Sequence, residues 1–578
     1  MNLLVRLVHS PCMRPLLPAL RWFPAAPGQI RADVWAGIAL GLLVVPQSLA
    51  YAHLAGMPPV TGLYAALLPM IIGALLGWCG PLTTGPVAMT SILTAAVLSA
   101  HATVGDPRWI TLAAMLALMV GVIRIVLGLL RASVLVSLLS HPVMLGFTAA
   151  AAIIIAESQI AELLGIPIGR GTSFLTHVAA MATHLGDSHL PTLAMGLGSL
   201  IALLIGKRWL GRIPVILPVA AVATAISWGT GYSGHTVGAL PAGLPPFGFP
   251  EWDWHMARKL IPDALWITLI GFMEVLTVTK SVAARTRQVQ NLDGELISQG
   301  AASIAAGLTG GFPVSGSLSR SAFNLNNGAR TGMSSMVAAV LVLATLLVCG
   351  PILAHMPLAT LAAAIIAAVV SLIDVAAIRR AFRVHYHDGL AVVCTAVATL
   401  AFAPRMVDGI LAGAVLAIGL FFHRTMRPRV VRLGQHADGT LRDCTLHDLP
   451  PIDPRIVALR MDGRLYFANS SHFERAVIAN LAITPAARWV VLAGDGLNEI
   501  DATGCETLTS LIRRLGETGI GFAFFDLKGP VQATLERAGI IAQIDPALCF
   551  RTPEAAIVEL TRRMDDPPEP QGPATASG

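Results

Sequence analysis

The chain has 578 residues, of which 55% are hydrophobic and only 12% are charged, and its mean hydropathy is +0.70. Soluble domains carry about 25% charged residues, so this composition indicates an integral membrane protein. Charge is sparse up to about residue 420 and ordinary afterwards, which predicts a soluble C-terminal domain. The net charge of +6 lies in short loops and does not indicate nucleic-acid binding, and the seven cysteines lack zinc or disulfide spacing.

Residues 1–31 contain several arginines and no clean signal peptide, and we interpret them as a cytoplasmic N-terminal segment. Hydropathy then predicts fourteen segments in a transmembrane domain over residues 32–425. These are 34–55, 61–78, 86–101, 109–130, 142–162, 188–206, 213–231, 261–283, 295–309, 313–328, 332–352, 354–373, 387–403 and 405–424. A six-plus-six arrangement, in which segments 86–101 and 313–328 are buried loops, gives similar chain ends.

Two of these segments begin with Gly and Pro inside apolar sequence, at Pro86 and Pro313. Proline favours the first turn of a helix, so each predicts a short half-helix. A polar residue precedes each proline by 39 positions, Gln47 in the first case (86 − 47) and Glu274 in the second (313 − 274). Pro313 follows Pro86 by 227 positions, and Glu274 follows Gln47 by the same number. This common offset predicts an internal repeat, residues 32–231 and 261–425. Seven segments per repeat force opposite orientations, so the predicted fold is a 7+7 inverted repeat.

The loop lysines and arginines predict the orientation of the chain. With the N-terminus inside, ten of these residues lie in cytoplasmic loops and five in outside loops. We therefore expect a multi-pass protein of the bacterial inner membrane, with its N-terminus and soluble domain in the cytoplasm.

The two half-helices predict an anion site, because unpaired N–H groups and the positive end of the helix dipole would face inward. Arg320 adds a charge that is costly in a membrane unless it faces a cavity or a partner, and it could instead pair structurally with Glu274. Glu274 could carry a proton or serve as a counter-ion. Gln47 and Tyr51 could join the site or pack. Hydroxyls that could bind an anion or simply pack between helices belong to Ser315, Ser317 and Ser319. Three further charged residues nearer span ends fit structural or snorkelling roles: Glu157, Arg124 and Lys280.

After a basic juxtamembrane linker (426–440), residues 441–564 show the pattern of a small α/β domain, followed by a Pro- and Gly-rich tail (565–578) that we expect to be disordered. Strands are predicted near 456–459, 465–467, 489–492 and 522–525, and helices near 471–483, 503–517 and 529–538. Thr503 opens one of these helices and fits either a regulatory phosphorylation site or a plain N-cap.

These motifs resemble the SulP-type anion transporters, solute carrier family 26 in animals. The resemblance rests on P-Q-S-L-A-Y-A with G-M-P-P-V-T-G-L-Y (46–64), T-G-P-V-A (84–88), N-L-D-G-E-L-I-S-Q-G (291–300), G-G-F-P-V-S-G-S-L-S-R-S-A-F-N (310–324) and I-D-A-T-G (500–504). It implies fourteen segments in core and gate domains, elevator-like alternating access, a homodimer and a cytoplasmic STAS domain. The implied site residues are Gln47, Tyr51, Val87, Ala88, Glu274, Ser317, Ser319 and Arg320.

Two positions depart from this family. Sodium-coupled relatives have a hydroxyl one turn after the acid of the eighth segment, where this chain has Val278, although Thr277 is adjacent. This departure argues against sodium coupling and leaves proton coupling or exchange open. Thr503 replaces the serine that is common at the regulatory STAS position.

The sequence therefore predicts a secondary active transporter of sulfate, bicarbonate or a dicarboxylate, with proton-coupled symport. The expected partners are the anion, protons, membrane lipid and a second copy of the chain, with no cofactor and no metal. An anion exchanger, an uncoupled anion channel and a nucleobase–cation symporter are the alternatives. An enzyme is disfavoured, because the sequence shows no metal cluster, nucleophile–base pair or phosphate loop.

Overall fold

The computed structural model describes residues 18–22, 27–136, 140–166, 168, 174–209, 215–241, 243–286, 290–370 and 372–565. The predictions for residues 1–17 and for the tail after 565 lie outside these residues. The chain divides after Ala417 into two compact units. The first is helical, and the second is built around a β-sheet.

Fourteen helices correspond to the fourteen predicted segments. They are α1 Pro27–Leu54, α2 Pro59–Leu76, α3 Ala88–Ser99, α4 Pro107–Leu129, α5 His141–Leu164, α6 Leu190–Trp209, α7 Ile216–Thr230, α8 Trp254–Thr286, α9 Leu292–Leu308, α10 Leu318–Asn326, α11 Met333–Val348, α12 Leu358–Val370, α13 Tyr386–Phe402 and α14 Met406–Thr425. Four short helices between them were not predicted: Ser133–Val136, Phe174–Thr183, Gly350–Leu353 and Val375–Val384. Within the described ranges, seven helical stretches are long and apolar enough to cross a membrane by themselves.

Side chains at several helix ends explain these boundaries. The side chain of Asp106 caps α4, that of Ser140 caps α5 and that of Asn291 caps α9, each by accepting a backbone N–H of the first turn. Helix α5 ends at Gly165, which has a φ of 70° in the left-handed region. Such residues supply local stop and start signals that apolar runs alone do not give.

Helices α4 and α9 pack unusually close together. A Cβ atom on Gly121 of α4 would lie 2.7 Å from the carbonyl oxygen of Gly300, and a Cβ on Gly300 would lie 2.7 Å from the carbonyl oxygen of Gly121. Only glycine permits this approach at these two positions. The contact ties the first repeat to the second next to the two half-helices.

A two-stranded sheet joins the repeats at the half-helices. Strand β1 (Thr84–Gly85) precedes α3, strand β2 (Ser315–Gly316) precedes α10, and the two strands pair antiparallel with Thr84 opposite Gly316. All four residues are buried. This pairing was not predicted, and it shows why α10 begins later than expected.

The predictions that Pro86 and Pro313 start a helix are both wrong. Pro86 precedes Val87, which is the N-cap of α3. Residues 313–317 run extended through β2, and α10 begins at Leu318. The helix starts are therefore 230 residues apart (318 − 88) rather than 227. The 7+7 arrangement stands, because each predicted segment forms its helix in the expected order.

The second unit is a seven-stranded sheet with helices. Its strands are β3 Arg429–Gln435, β4 Leu441–Asp443, β5 Ile456–Leu465, β6 Trp489–Ala493, β7 Leu497–Ile500, β8 Gly521–Phe525 and β9 Cys549–Phe550, and its longer helices are α15 Ser470–Ala482, α16 Ala502–Glu517, α17 Gly529–Arg537 and α18 Pro553–Asp565. The spatial order is β4-β3-β5-β6-β8-β9, with β7 also paired to β5. Strands β5, β6, β8 and β9 run parallel, and β3 and β4 are antiparallel to their neighbours.

The three predicted helices of this unit form within one residue of their expected ends. The separate strand predicted at 465–467 is wrong, since β5 continues to Leu465 and the chain then turns at Tyr466. Strands β3, β4, β7 and β9 and helix α18 were missed, because they are short or carry charged residues on an exposed face.

Candidate anion-binding site

The N-termini of α3 and α10 lie beside the β1–β2 strand pair. Because the strands are antiparallel and each is followed at once by a helix, the two helix N-termini flank the strand pair from opposite sides. Val87 is the N-cap residue of α3 and makes no side-chain capping bond. The hydroxyl of Ser317 caps α10 by accepting the backbone N–H of Arg320 over 3.4 Å. Both helix ends thus offer backbone donors beside the same strand pair, as an anion site requires.

Arg320 is fully buried next to this pair. A Cβ atom on Gly85 of β1 would lie 3.4 Å from its Nη2 and 3.7 Å from its Nη1. Across the described part of the chain, its three guanidinium nitrogens have no hydrogen-bond partner. A buried charge without a partner is costly. The arginine is therefore suited to bind an anionic group that is not part of the chain.

Glu274 on α8 interacts electrostatically with Arg320, and Tyr51 on α1 interacts with both. The Oε2 atom of Glu274 is buried and accepts no hydrogen bond from any described residue. No ion pair within 4.0 Å joins Glu274 to Arg320 in the described ranges. The two charges therefore share one region without direct contact.

Helix α1 brings two polar side chains to the same region. Tyr51 is 6% exposed, and the Oε1 atom of Gln47, one turn earlier, is buried and unbonded among the described residues. Pro46 lies inside this helix and cannot donate the hydrogen bond that the preceding turn would receive. The helix thus carries these polar side chains close to the point where Pro46 interrupts its backbone hydrogen bonds.

The three serines of the second half-helix have different surroundings. Ser315 donates to the carbonyl oxygen of Gly271 over 2.7 Å and so fastens β2 to α8. Ser317 is buried at the N-cap, and its hydroxyl lies 3.4 Å from that of Ser319, which is exposed. Ser315 therefore has a packing role, while Ser317 and Ser319 lie at the helix end itself, and Val87 and Ala88 occupy the matching place on α3.

For Arg124, the sequence predicted a structural or a snorkelling role. It does not snorkel from a span end but is fully buried in α4. Its Nη1 donates to the carbonyl oxygen of Val314 over 2.7 Å and to the hydroxyl of Ser303 over 2.9 Å. It also interacts electrostatically with Glu274. The sequence placed Arg124 toward the end of the predicted 109–130 segment and gave no signal for these contacts.

Glu295 of the 291–300 motif was also missed as a structural residue. Its Oε2 accepts the backbone N–H groups of Trp78 and Cys79, over 2.8 and 3.2 Å. Gln299 bonds to Glu295 and donates to Thr84 of β1 over 2.8 Å. The motif therefore holds the loop that leads into the first half-helix.

In the second unit, Thr503 lies in the first turn of α16, as predicted, but it is not the N-cap. Asp501 is the N-cap and accepts the N–H of Gly504 over 2.7 Å, and its other oxygen accepts the N–H of Phe467 over 3.0 Å. Burial, together with Asp501, raises the pKa of the neighbouring Cys505 thiol. This cysteine is therefore not a reactive thiolate.

A helical unit with two half-helices meeting at a buried arginine is the architecture of an inverted-repeat transporter. The sequence matches the Sulfate permease family over residues 30–395 and the STAS domain over residues 450–556. The chain belongs to this family of anion transporters with a C-terminal STAS domain, and it is not an enzyme.

Relatives and solved structures agree with this assignment. A probable sulfate transporter of Mycobacterium tuberculosis is 34% identical over 540 residues, covering 92% of this chain and 96% of the relative. The chloroplastic sulfate transporter 4.1 of Arabidopsis thaliana is 31% identical and covers 91% of this chain and 80% of the relative. The murine solute carrier 26 family member A9 anion transporter, solved in the inward-facing state, shares the fold with a TM-score of 0.85 at 21% identity, over 95% of this chain and 94% of that one.

Proposed function

We propose that this protein is a secondary active transporter that carries a small oxyanion together with protons, with the anion bound between α3 and α10. The observation that carries this proposal is the buried guanidinium of Arg320, which has no hydrogen-bond partner among the described residues and lies beside two helix N-termini. Sulfate is the first candidate substrate, because sulfate is the anion in the names of the similar M. tuberculosis and A. thaliana proteins. Bicarbonate and dicarboxylates offer oxygens to the same donors.

The proposed roles follow from what each group can donate or accept. Arg320, the backbone N–H groups at Val87 and Ala88 and the hydroxyl of Ser317 bind anion oxygens. Hydroxyls of Ser319 and Tyr51 and the amide of Gln47 add further donors at the rim. Glu274 carries the proton, since its carboxyl shares the electrostatic environment of Arg320 without a direct bond to it.

The transport cycle that we propose is an elevator-type movement in a homodimer. The part that holds α3 and α10 moves against the remaining helices and exposes the site to either side in turn. In the orientation predicted by the loop arginines, the N-terminus and the STAS domain are cytoplasmic and the protein lies in a bacterial inner membrane. Thr503 then lies where cytoplasmic control by phosphorylation could act.

The test is uptake of radiolabelled sulfate, bicarbonate and succinate by proteoliposomes containing the full chain, with and without an inward proton gradient. We expect the gradient to drive accumulation of one anion above its outside concentration. In Glu274→Gln, we expect this accumulation to be lost while exchange against the same anion inside persists, because the anion site is kept and the proton carrier is removed.

Other outcomes would identify the alternatives. Flux only with a counter-anion inside would make the protein an exchanger. Fast downhill flux without accumulation, unchanged in Glu274→Gln, would make it an uncoupled channel and would remove the coupling role of Glu274.

A further inference from the structure

The centre of the membrane unit contains a second buried cation. Arg124 on α4 and Arg320 on α10 are both fully buried, and both interact electrostatically with Glu274 on α8. Buried arginines are rare in membrane spans and are costly without compensating charge. One ionised glutamate compensates only one of them.

The side chains of the two arginines lie against opposite strands of the β1–β2 pair. Arg124 donates to the carbonyl oxygen of Val314, next to β2, and a Cβ on Gly271 would lie 2.5 Å from its Nη2 and 3.3 Å from the hydroxyl of Ser315. Arg320 lies against Gly85 of β1. An anion at the ends of the strand pair therefore meets the field of both cations.

Other charges do not change this balance. Helix α3 has no titratable side chain. On α1, Asp33 binds the loop at Arg330 and Thr331 and His53 pairs with Glu162, so the group that interacts with the cluster is the neutral hydroxyl of Tyr51. On α9, which packs against α4, the acid Glu295 is already bound by Trp78, Cys79 and Gln299. The cluster thus consists of Arg124, Arg320 and Glu274, and it has a charge of +1 when Glu274 is ionised and +2 when it is protonated.

We infer that Arg124 is a charge-setting residue that makes the site selective for a divalent oxyanion carried with one proton. A divalent anion neutralises the cluster only when Glu274 is protonated, so binding of the anion and of one proton favour each other in a low-dielectric site. The inference deepens the proposed function and rests on it. Arg124 acts through its charge, while its Nη1 stays bound to Val314 and Ser303.

This charge count fixes the stoichiometry. One proton and one sulfate move a net charge of −1 per cycle, and the empty site returns with its charge of +1. At zero membrane potential, a gradient of one pH unit should therefore hold sulfate at about a tenfold concentration ratio. Without a pH gradient, an inside-positive potential of about 59 mV should hold the same tenfold ratio.

The experiment is equilibrium sulfate accumulation by the wild-type full chain in proteoliposomes with clamped pH and potassium-valinomycin potential. A ratio of about 100 per pH unit, or no response to potential, would mean two protons per sulfate and would overturn the inference while leaving the proposed symport intact. No accumulation of any anion under any gradient would overturn both.

The second arm uses Arg124→Gln and, as the matched control that keeps the charge, Arg124→Lys. In Arg124→Gln, the protonated cluster has a charge of +1, so we expect the ratio of sulfate to nitrate transport to fall by at least about tenfold, with proton-driven nitrate uptake retained. Arg124→Lys and Ser303→Ala, which removes only the neutral hydrogen-bond partner, should keep the sulfate preference. An unchanged ratio in Arg124→Gln, or equal loss of both anions, would show that Arg124 merely supports β2.

Discussion

The two half-helices have the same construction but different chemistry. Each follows a two-residue strand, and each of these strands pairs with the strand of the other repeat. Helix α3 begins after the apolar Val87 and has a neutral residue, Gln47, on the helix beside it. Helix α10 begins after the capping Ser317 and carries Arg320, and its partner helix carries Glu274. At the half-helices themselves, the first repeat thus contributes backbone donors, and the second contributes Arg320 and Glu274.

This difference teaches that only one of the two duplicated half-helices needs to carry a charge. A second arginine on α3 would add buried positive charge without a partner, at a high desolvation cost. Keeping the acid and the arginine in the same repeat also lets both move together. We therefore expect changes in α10 to alter ion binding and equivalent changes in α3 to alter mainly stability.

The largest effect is expected when the second half-helix is made neutral like the first. Arg320→Ala removes at least two charge-assisted hydrogen bonds to the anion, each of about 1.5–3 kcal/mol, so sulfate uptake should fall by more than about 100-fold. Arg320→Lys should retain part of the uptake, because it keeps the charge but loses the planar fork. Uptake in proteoliposomes measures both, and normal transport by Arg320→Ala would place the anion elsewhere.

The next largest effect is a loss of stability when the loops beside the two half-helices lose their acidic partners. Glu295 binds the loop before β1, and Asp33 binds the loop after α10 by accepting the N–H groups of Arg330 and Thr331 and the hydroxyl of Thr331. Glu295→Ala and Asp33→Ala each leave buried donors unpaired, at a cost of about 2–4 kcal/mol. Thermal unfolding of the detergent-solubilised protein should show both losses.

Uptake measurements should distinguish Glu295→Ala from Asp33→Ala. We expect Glu295→Ala to reduce uptake more at equal protein stability, because its loop runs directly into β1 and Gln299 then loses its support. Equal uptake in both variants would mean that the position of β1 does not limit binding.

A smaller effect is expected from the cap of α10. Ser317→Ala removes the hydroxyl that caps the helix, which costs about 1 kcal/mol. The apparent affinity for sulfate should weaken by about fivefold, since the cap also orders the donors at the anion. Competition of unlabelled sulfate against labelled sulfate measures this change, and an unaltered half-saturation concentration would remove Ser317 from the site.

The smallest effect is expected from giving α3 the cap that it lacks. Val87→Ser places a capping hydroxyl at the N-cap of α3 and should stabilise that helix end by about 0.5–1 kcal/mol, less the apolar burial lost with valine. The unfolding temperature should change little, and uptake should stay within about twofold of wild type. A large loss of uptake would show that the apolar surface at Val87 itself shapes the anion site.

By itself, the sequence determined the helices and their order. Runs of apolar residues, the paired prolines and the repeated spacing of Gln47 and Glu274 give fourteen segments in two copies, because apolar length and helix-breaking residues are local properties. The α/β pattern after residue 440 identified the soluble unit for the same reason, and the motif at 310–324 marked the second half-helix and its arginine.

Only the tertiary structure decided what surrounds that site. The pairing of Thr84 with Gly316 joins residues more than 200 positions apart, and it competes with the helix that Pro313 predicts. The burial of Arg124 depends on the close approach of α4 to α9, and the contacts of Glu295 depend on the position of α9 beside the loop after α2; no local pattern records either. A side chain's partner in a membrane protein is set by the helix that packs against it, and this is a long-range property of the fold.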